Sequence, residues 1–285
     1  MLTETEKDLC ASRPNSVSYD RVADLHFLGN YVRRLPVNMA RMMENAHDWE
    51  HLPYVHASSF ASIDLISKGP WGWRAKIGLP GGGDYQLLDL IIDETRHYWV
   101  STVFSGMGTG TEIHTQATEL YGDEIEVDVR FYLPEAPADK SVADFVLNYL
   151  TDQYRVLYDE DLGLMSGRQS ALDDRMARRD EPPGLASVLV GDVSELDPLG
   201  THLVETQAGR FCVRRWRDEW IVHSAICPHM LGPLNEAKLD EHGNITCPWH
   251  GYRFDVATGQ NIGAKCNDLA QAPRLIERNG KLYLD

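Results

Sequence analysis

Two short motifs near the end of this 285-residue chain constrain it more than any other feature. Cys227-Pro228-His229 and Cys247-Pro248-Trp249-His250-Gly251 are separated so that seventeen residues lie between His229 and Cys247. Two soft thiolates and two imidazoles in this pattern call for a metal or a metal cluster. Prolines and glycines beside each pair permit the tight backbone approach such a site needs. A structural zinc with two cysteines and two histidines is chemically possible. Zinc spacing rules, however, pair Cys with Cys or His with His in one loop, whereas each loop here offers one of each.

Length gives room for one large domain or two ordinary ones. Hydrophobic residues at 43% and charged residues at 25% are ordinary globular values, which excludes a disordered or collagen-like chain. Against 43 acidic side chains stand 27 basic ones, a formal charge of −16. Such a surface disfavours nucleic acid and anionic membranes, and it tolerates small substrates, metal cations and basic protein partners. No apolar run approaches the roughly 18–20 residues of a membrane helix. The charged start, Met1 to Asp8, lacks the apolar core of a signal peptide. Five scattered cysteines, an odd number, do not read as a disulfide framework, so a reducing cytoplasm is the expected compartment.

A charged run ending in Pro182-Pro183-Gly184 resists helix and reads as a linker over 167–185, between a first domain at 1–166 and a second at 186–285. The acidity belongs mainly to the first part: residues 1–185 carry 17 basic and 30 acidic side chains, against 10 and 13 in residues 186–285. Met39 to Trp49 predicts an amphipathic helix with Asn38 as N-cap, ended or kinked by Pro53. Strand patterns follow at 73–79, 98–104, 112–117 and 124–132, the last strictly alternating. A long helix over 142–165 comes next, so an α+β fold is expected. The second domain reads as short strands and turns alone.

The Cys/His pattern suits a two-iron cluster with Cys227 and Cys247 on one iron and His229 and His250 on the other. It closely resembles the Rieske family over essentially residues 186–285, including Gly251, Phe254-Asp255, Thr258-Gly259 and Pro273. Imidazoles in place of thiolates leave the cluster less negative and raise its potential. Gly232 and Trp249 stand where respiratory Rieske proteins carry a disulfide, so the resemblance implies an oxygenase- or ferredoxin-type centre with Gly232, Trp249 and Gly251 around it. Met230 replaces the arginine often found there in oxygenases.

Asn45, Asp48, His51 and His56 fall on or just after the predicted amphipathic helix, where steps of three put Asn45, Asp48 and His51 on one stripe. His51 and His56 can share an ion only if the helix breaks between them, and Pro53 supplies a break. Two imidazoles and a carboxylate with open positions would hold non-haem Fe(II). These residues resemble the N-x2-D-x2-H-x4-H motif of Rieske non-haem iron oxygenases. That resemblance implies Asp161 as third ligand, with Asp159 or Glu160 as the substitute or as solvated charges; Gln169 fits the family pattern and Ser166 departs from it. It implies that Asp48 bridges an iron-bound histidine to a cluster histidine of a neighbouring subunit, in a head-to-tail ring, most simply a homotrimer. It further implies a helix-grip (START-like) catalytic domain, here placed before the Rieske domain in reverse of the usual order.

The resulting expectation is a terminal oxygenase using a 2Fe-2S cluster and Fe(II) to activate O2 and hydroxylate or demethylate a small organic, aromatic substrate. Electrons would come from NAD(P)H through a separate reductase or ferredoxin. A START-like ligand carrier fused to a Rieske electron-transfer domain, without the mononuclear iron, is the alternative. Trp71-Gly72-Trp73 and Tyr98-Trp99 either line a substrate cavity or pack in the core, and His97 and His114 read as satisfied polar residues. Arg214-Arg215-Trp216-Arg217 forms either a docking patch for an acidic partner or a solvated hairpin tip.

Overall fold

The computed structural model describes residues 2–178 and 187–285. The chain divides into two compact units, Met1–Met165 and Ser166–Asp285. The first opens with helix α1 (Glu4–Ser12), started by a Thr3–Glu6 capping box. Seven strands then build one antiparallel sheet: β1 (His26–Leu35), β2 (Ser62–Gly69), β3 (Gly72–Gly78), β4 (Tyr85–Asp93), β5 (Tyr98–Gly106), β6 (Glu112–Glu119) and β7 (Ile125–Leu133). Their order is β1-β7-β6-β5-β4-β3-β2. Strands β2 to β7 form a meander, while β1 pairs with β7 at the opposite edge. The chain between β1 and β2 must therefore cross the whole sheet.

Helices α2 (Met39–His47) and α3 (Leu52–Val55) make that crossing. Asn38 caps α2 by accepting from the Arg41 amide at 3.0 Å, and Met39, Met42 and Ala46 are buried. Trp73 Nε1 donates to the Ala46 carbonyl at 3.0 Å and pins the end of α2 to β3. The helix stops at His47, with Asp48 as its C-cap, rather than running to Trp49. Pro53 does not end it. It lies in the first turn of α3, where a missing N–H costs nothing. Asn45, Asp48 and His51 consequently do not share one helical stripe.

After β7, helix α4 (Lys140–Ala177) is much longer than expected. The segment 167–177, read as linker, is helical and groups with the second unit. It holds no proline, its lone Gly167 costs a helix only about 1 kcal/mol, and Gln169 bonds Asp173 one turn on at 2.8 Å. The Pro182-Pro183-Gly184 part of the expected linker lies outside the described residues. Along β7, Ile125, Val127, Val129 and Phe131 are fully buried while Glu126, Asp128 and Arg130 are not, as strict alternation requires. Each such side chain contributes roughly 1.5–3 kcal/mol of burial. A core of Trp73, Ala75, Ile77, Leu88 and Val103 packs against Trp49, Leu52 and Phe60, tying the helical crossing to the sheet. The architecture is α+β, a seven-stranded antiparallel sheet with a long helix, followed by a unit built mainly of short strands.

That unit contains β8 (Val188–Asp192), β9 (His202–Thr206), β10 (Gly209–Trp216), β11 (Glu219–Ser224), β12 (Asn244–Thr246), β13 (Arg253–Asp255), β14 (Asn261–Ile262), β15 (Leu275–Arg278) and β16 (Lys281–Leu284). They form three-stranded antiparallel sheets in the orders β11-β10-β9, β12-β13-β14 and β15-β16-β8. Arg214 leaves the supposed basic patch: it is buried and donates to the carbonyls of Ala237, Leu234 and Asn235 at 2.7, 2.9 and 3.2 Å. Strand alternation turns it inward while Arg215 faces out. Among the described residues no helix is long and apolar enough to cross a membrane.

Gly72 has φ +114°, and a Cβ there would lie 2.0 Å from the Leu90 carbonyl oxygen. Gly72→Ala is expected to destabilise the first unit by at least about 2 kcal/mol, read as a lowered midpoint in chemical denaturation.

Candidate metal centres

In the second unit, two loops of matching geometry carry the Cys/His pairs. One follows β11 and the other joins β12 to β13. In the first, the Leu231 amide donates to the Cys227 carbonyl at 3.0 Å and the Cys227 amide to the Gly232 carbonyl at 2.9 Å. In the second, the Gly251 amide donates to the Cys247 carbonyl at 3.0 Å and the Cys247 amide to the Tyr252 carbonyl at 2.8 Å. The fourth residue after each cysteine is left-handed, Leu231 at φ 64° and Gly251 at φ 67°. Equivalent turns present equivalent side chains, so thiol meets thiol and imidazole meets imidazole. The His229 and His250 rings lie 4.6 Å apart and perpendicular. Hydrogen bonding between the two thiols lowers Cys247 below the usual thiol range, while the same contact and burial hold Cys227 above it. A readily formed thiolate is what a cluster ligand requires.

The surroundings fit a cluster. A Cβ at Gly232 would sit 2.8 Å from Cys247 Sγ and 3.1 Å from the Trp249 ring, so only glycine leaves the thiol in place. Trp249 and Tyr252 are buried, and the Tyr252 ring lies 4.5 Å from His229. Cys266 is only partly buried, and Cys10 and Cys212 are buried cysteines elsewhere in the fold.

In the first unit, His51, His56 and Asp161 converge. His51 Nε2 and His56 Nε2 are 3.2 Å apart, and Asp161 Oδ1 lies 3.4 Å and 3.0 Å from them. All three side chains are buried. The histidines flank α3, with His51 as its N-cap and His56 as its C-cap; Pro53 makes no break between them, and their side chains converge across the turn. Asp161 belongs to the face of α4 that buries Tyr158, Leu164 and Met165. Each imidazole turns its other nitrogen to a further carboxylate. His51 Nδ1 is 3.4 Å from Asp48 Oδ2, and His56 Nδ1 is 2.7 Å from Glu160 Oε2.

Three carboxylates around two imidazoles make a site for a cation. Burial pulls His51 down, but hydrogen bonds to Asp161 and Asp48 override it and push the group up to about 10. Burial would raise Asp161, yet hydrogen bonds from His51 and His56 hold it well below the usual carboxylate range. The convergence of two Nε2 atoms and one carboxylate oxygen fits a facial triad with open positions.

Beside the triad lies a cavity of about 120 Å³. Trp73, Trp99, Leu88 and Leu90 supply apolar walls, and Asn45, Ser101, Tyr154 and Tyr158 add polar atoms. Asn45 is buried, and its Oδ1 has no hydrogen-bond partner among the described residues. Of the aromatics singled out in the sequence, Trp73 and Trp99 line this cavity. Trp71 instead stacks on Arg74 with the guanidinium 5.1 Å from the ring centre, and Tyr98 bonds His114 at 2.7 Å. His114 also bonds Glu112 at 3.0 Å, the satisfied role expected of it. Asp159 is a solvated charge paired with Arg33 at 2.6 Å. Gln169, matched to the family pattern, bonds Asp173 in the second unit. Sequence reasoning missed Ser101, Tyr154 and Tyr158, which only the inward face of β5 and the stripe on α4 could have signalled.

Residues 186–273 match the family model for the Rieske [2Fe-2S] domain, and that segment is a Rieske domain. The chain is 41% identical over 59 residues to flavonoid 8-hydroxylase 2, chloroplastic, of Ocimum basilicum, covering 21% of this chain and 10% of that protein. It is 43% identical over 44 residues to pheophorbide a oxygenase, chloroplastic, of Oryza sativa subsp. japonica, covering 14% and 8% respectively. These matches span a tenth or less of the relatives' length. Among solved structures, the ferredoxin of carbazole 1,9a-dioxygenase from Nocardioides aromaticivorans IC177 is 23% identical, covering 35% of this chain and 96% of that one, with a TM-score of 0.32.

Gly232→Ala should displace Cys247 Sγ. Purified protein is expected to lose most of its visible cluster absorbance per chain while its far-ultraviolet dichroism stays close to that of the parent.

Proposed function

We propose that this protein is the terminal oxygenase of a multicomponent system, inserting one or two oxygen atoms of O2 into a small, mainly apolar organic substrate. The observation that supports this most directly is the meeting of His51 Nε2, His56 Nε2 and Asp161 Oδ1 at the edge of an apolar cavity. A ligand carrier has no use for a buried carboxylate among imidazoles, which is expensive to bury without a cation to share. The 2Fe-2S cluster supplies single electrons and ferrous iron supplies the chemistry that activates dioxygen.

The chain's own residues do the rest. Trp73, Trp99, Leu88 and Leu90 bind the substrate's apolar body and exclude water. Asn45 Oδ1 offers an acceptor that orients a substrate hydroxyl or amine. Asp48 holds the Nδ1 side of His51 and, in this reading, joins it to a cluster histidine of the next subunit in a homotrimeric head-to-tail ring. For a monooxygenation the balance is substrate C–H plus O2, two electrons and two protons, giving C–OH and water. If the hydroxylated carbon is an N- or O-methyl group, its breakdown to formaldehyde gives a demethylated product. The electrons derive from NAD(P)H through a separate reductase or ferredoxin, and the compartment consistent with free cysteines is the cytoplasm.

Two variants test this reading. Asp161→Ala is expected to lower iron from about three to about two atoms per chain and abolish substrate-coupled O2 uptake, with the cluster's EPR signal intact. Full turnover in that variant would reject the ligand assignment. Asp48→Asn is expected to retain all iron but slow oxidation of the reduced cluster in single turnover by at least about 100-fold. An unchanged rate removes Asp48 from the electron path.

A further inference from the structure

Glu160 stands next to the proposed ligand Asp161 on α4, and successive residues of a helix point about 100° apart. That angle lets the pair address both edges of one imidazole. Asp161 Oδ1 lies 3.0 Å from His56 Nε2, and Glu160 Oε2 lies 2.7 Å from His56 Nδ1. We propose that Glu160 is the positioning residue of the mononuclear centre: it fixes the tautomer and ring angle of His56 and thereby sets the site's affinity for its metal. The inference rests on reading the triad as a metal site.

A carboxylate oxygen at 2.7 Å from Nδ1 is placed to accept, so the His56 nitrogen facing Glu160 is the one that keeps its hydrogen. With Nδ1 committed to Glu160, Nε2 is the atom left for a metal: it gives its hydrogen to Asp161 Oδ1 here, and a cation where His51 Nε2 and Asp161 Oδ1 converge would take that hydrogen's place on the Nε2 lone pair. Without Glu160 the opposite neutral tautomer, with its one hydrogen on Nε2 and aimed at Asp161, becomes competitive and has to be reversed before a metal binds. The negative charge also raises the basicity of the ring as a ligand. Glu160 is not a ligand, since its oxygen sits at the edge of the ring away from the triad. His51 has the corresponding contact with Asp48 at a longer 3.4 Å, so the tighter orientation falls on His56. Burial and ring contact with Phe60, 6.2 Å between centres, complete the hold on His56.

The test uses the full chain with its cluster oxidised, and therefore EPR-silent, after the mononuclear metal is removed with a chelator. Co(II) is titrated by equilibrium dialysis and its high-spin EPR signal recorded for the parent, Glu160→Ala, Glu160→Gln and Asp161→Ala. Glu160→Ala is expected to weaken Co(II) binding 10–100-fold and to broaden or split the signal, and Glu160→Gln, which keeps an acceptor oxygen, to recover part of the loss. If the alanine variant does not fold, Glu160→Leu, which keeps the volume, takes its place. A parent that binds Co(II) in an Asp161-dependent way, matched by the alanine or leucine variant, overturns the role of Glu160 alone. So does a glutamine variant no better than alanine. A parent that binds no Co(II), or binds it equally well as Asp161→Ala, overturns the metal site itself.

Discussion

A carboxylate buried on the apolar stripe of a long helix is the constraint around which the first unit is organised. Asp161 shares a helix face with Tyr158, Leu164 and Met165, where an unpaired charge would cost several kcal/mol. The cost is offset by two imidazoles, and those imidazoles have to come from the chain that crosses the sheet between β1 and β2. A continuous helix there would set His51 and His56 roughly 140° apart. The expected break between them is absent, since Leu52–Val55 is helical and the His56 amide donates to the Leu52 carbonyl at 3.0 Å; the two side chains span the separation instead, with their Nε2 atoms 3.2 Å apart. A sheet that needs crossing and a costly charge thus meet in one place.

The second unit solves a different problem with the same economy of means. A cluster held by unlike ligands needs its thiols on one side and its imidazoles on the other. Two loops with the same amide-to-carbonyl pattern and the same left-handed residue four positions after the cysteine achieve this by repetition. Leu231 tolerates the left-handed position that Gly251 occupies at no steric cost. Arg214, drawn inward to three carbonyls just beyond the first loop, braces the chain as it leaves.

Much of this was legible in the sequence because the informative residues are chemically rare. Cys227, His229, Cys247 and His250 have spacing that few alternatives satisfy, and β7 shows strict alternation. Other features were hidden for physical reasons. Strands β1, β2 and β4 escaped notice: β1 carries Gly29 and the Arg33-Arg34 pair, and β4 runs Leu87-Leu88 and Ile91-Ile92 without alternation because both its faces are covered. The linker was drawn too early because charged residues such as Asp173 and Arg175 suit a solvated helix as well as a loop. Glu160 and Asp159 are indistinguishable as letters, yet one bonds His56 and the other pairs with Arg33. Only the rotation of α4 separates them.

His51, His56 and Asp161, which hydrogen-bond to one another, form the place where a metal would sit in the first unit. Crystals of anaerobically prepared protein, measured with X-rays at the iron absorption edge, address that site directly. The account predicts an anomalous peak about 2.0–2.2 Å from His51 Nε2, His56 Nε2 and an Asp161 oxygen, separate from the paired peak between the cysteine and histidine loops. Anomalous density confined to those loops, with the three side chains still bonded to each other, would contradict it.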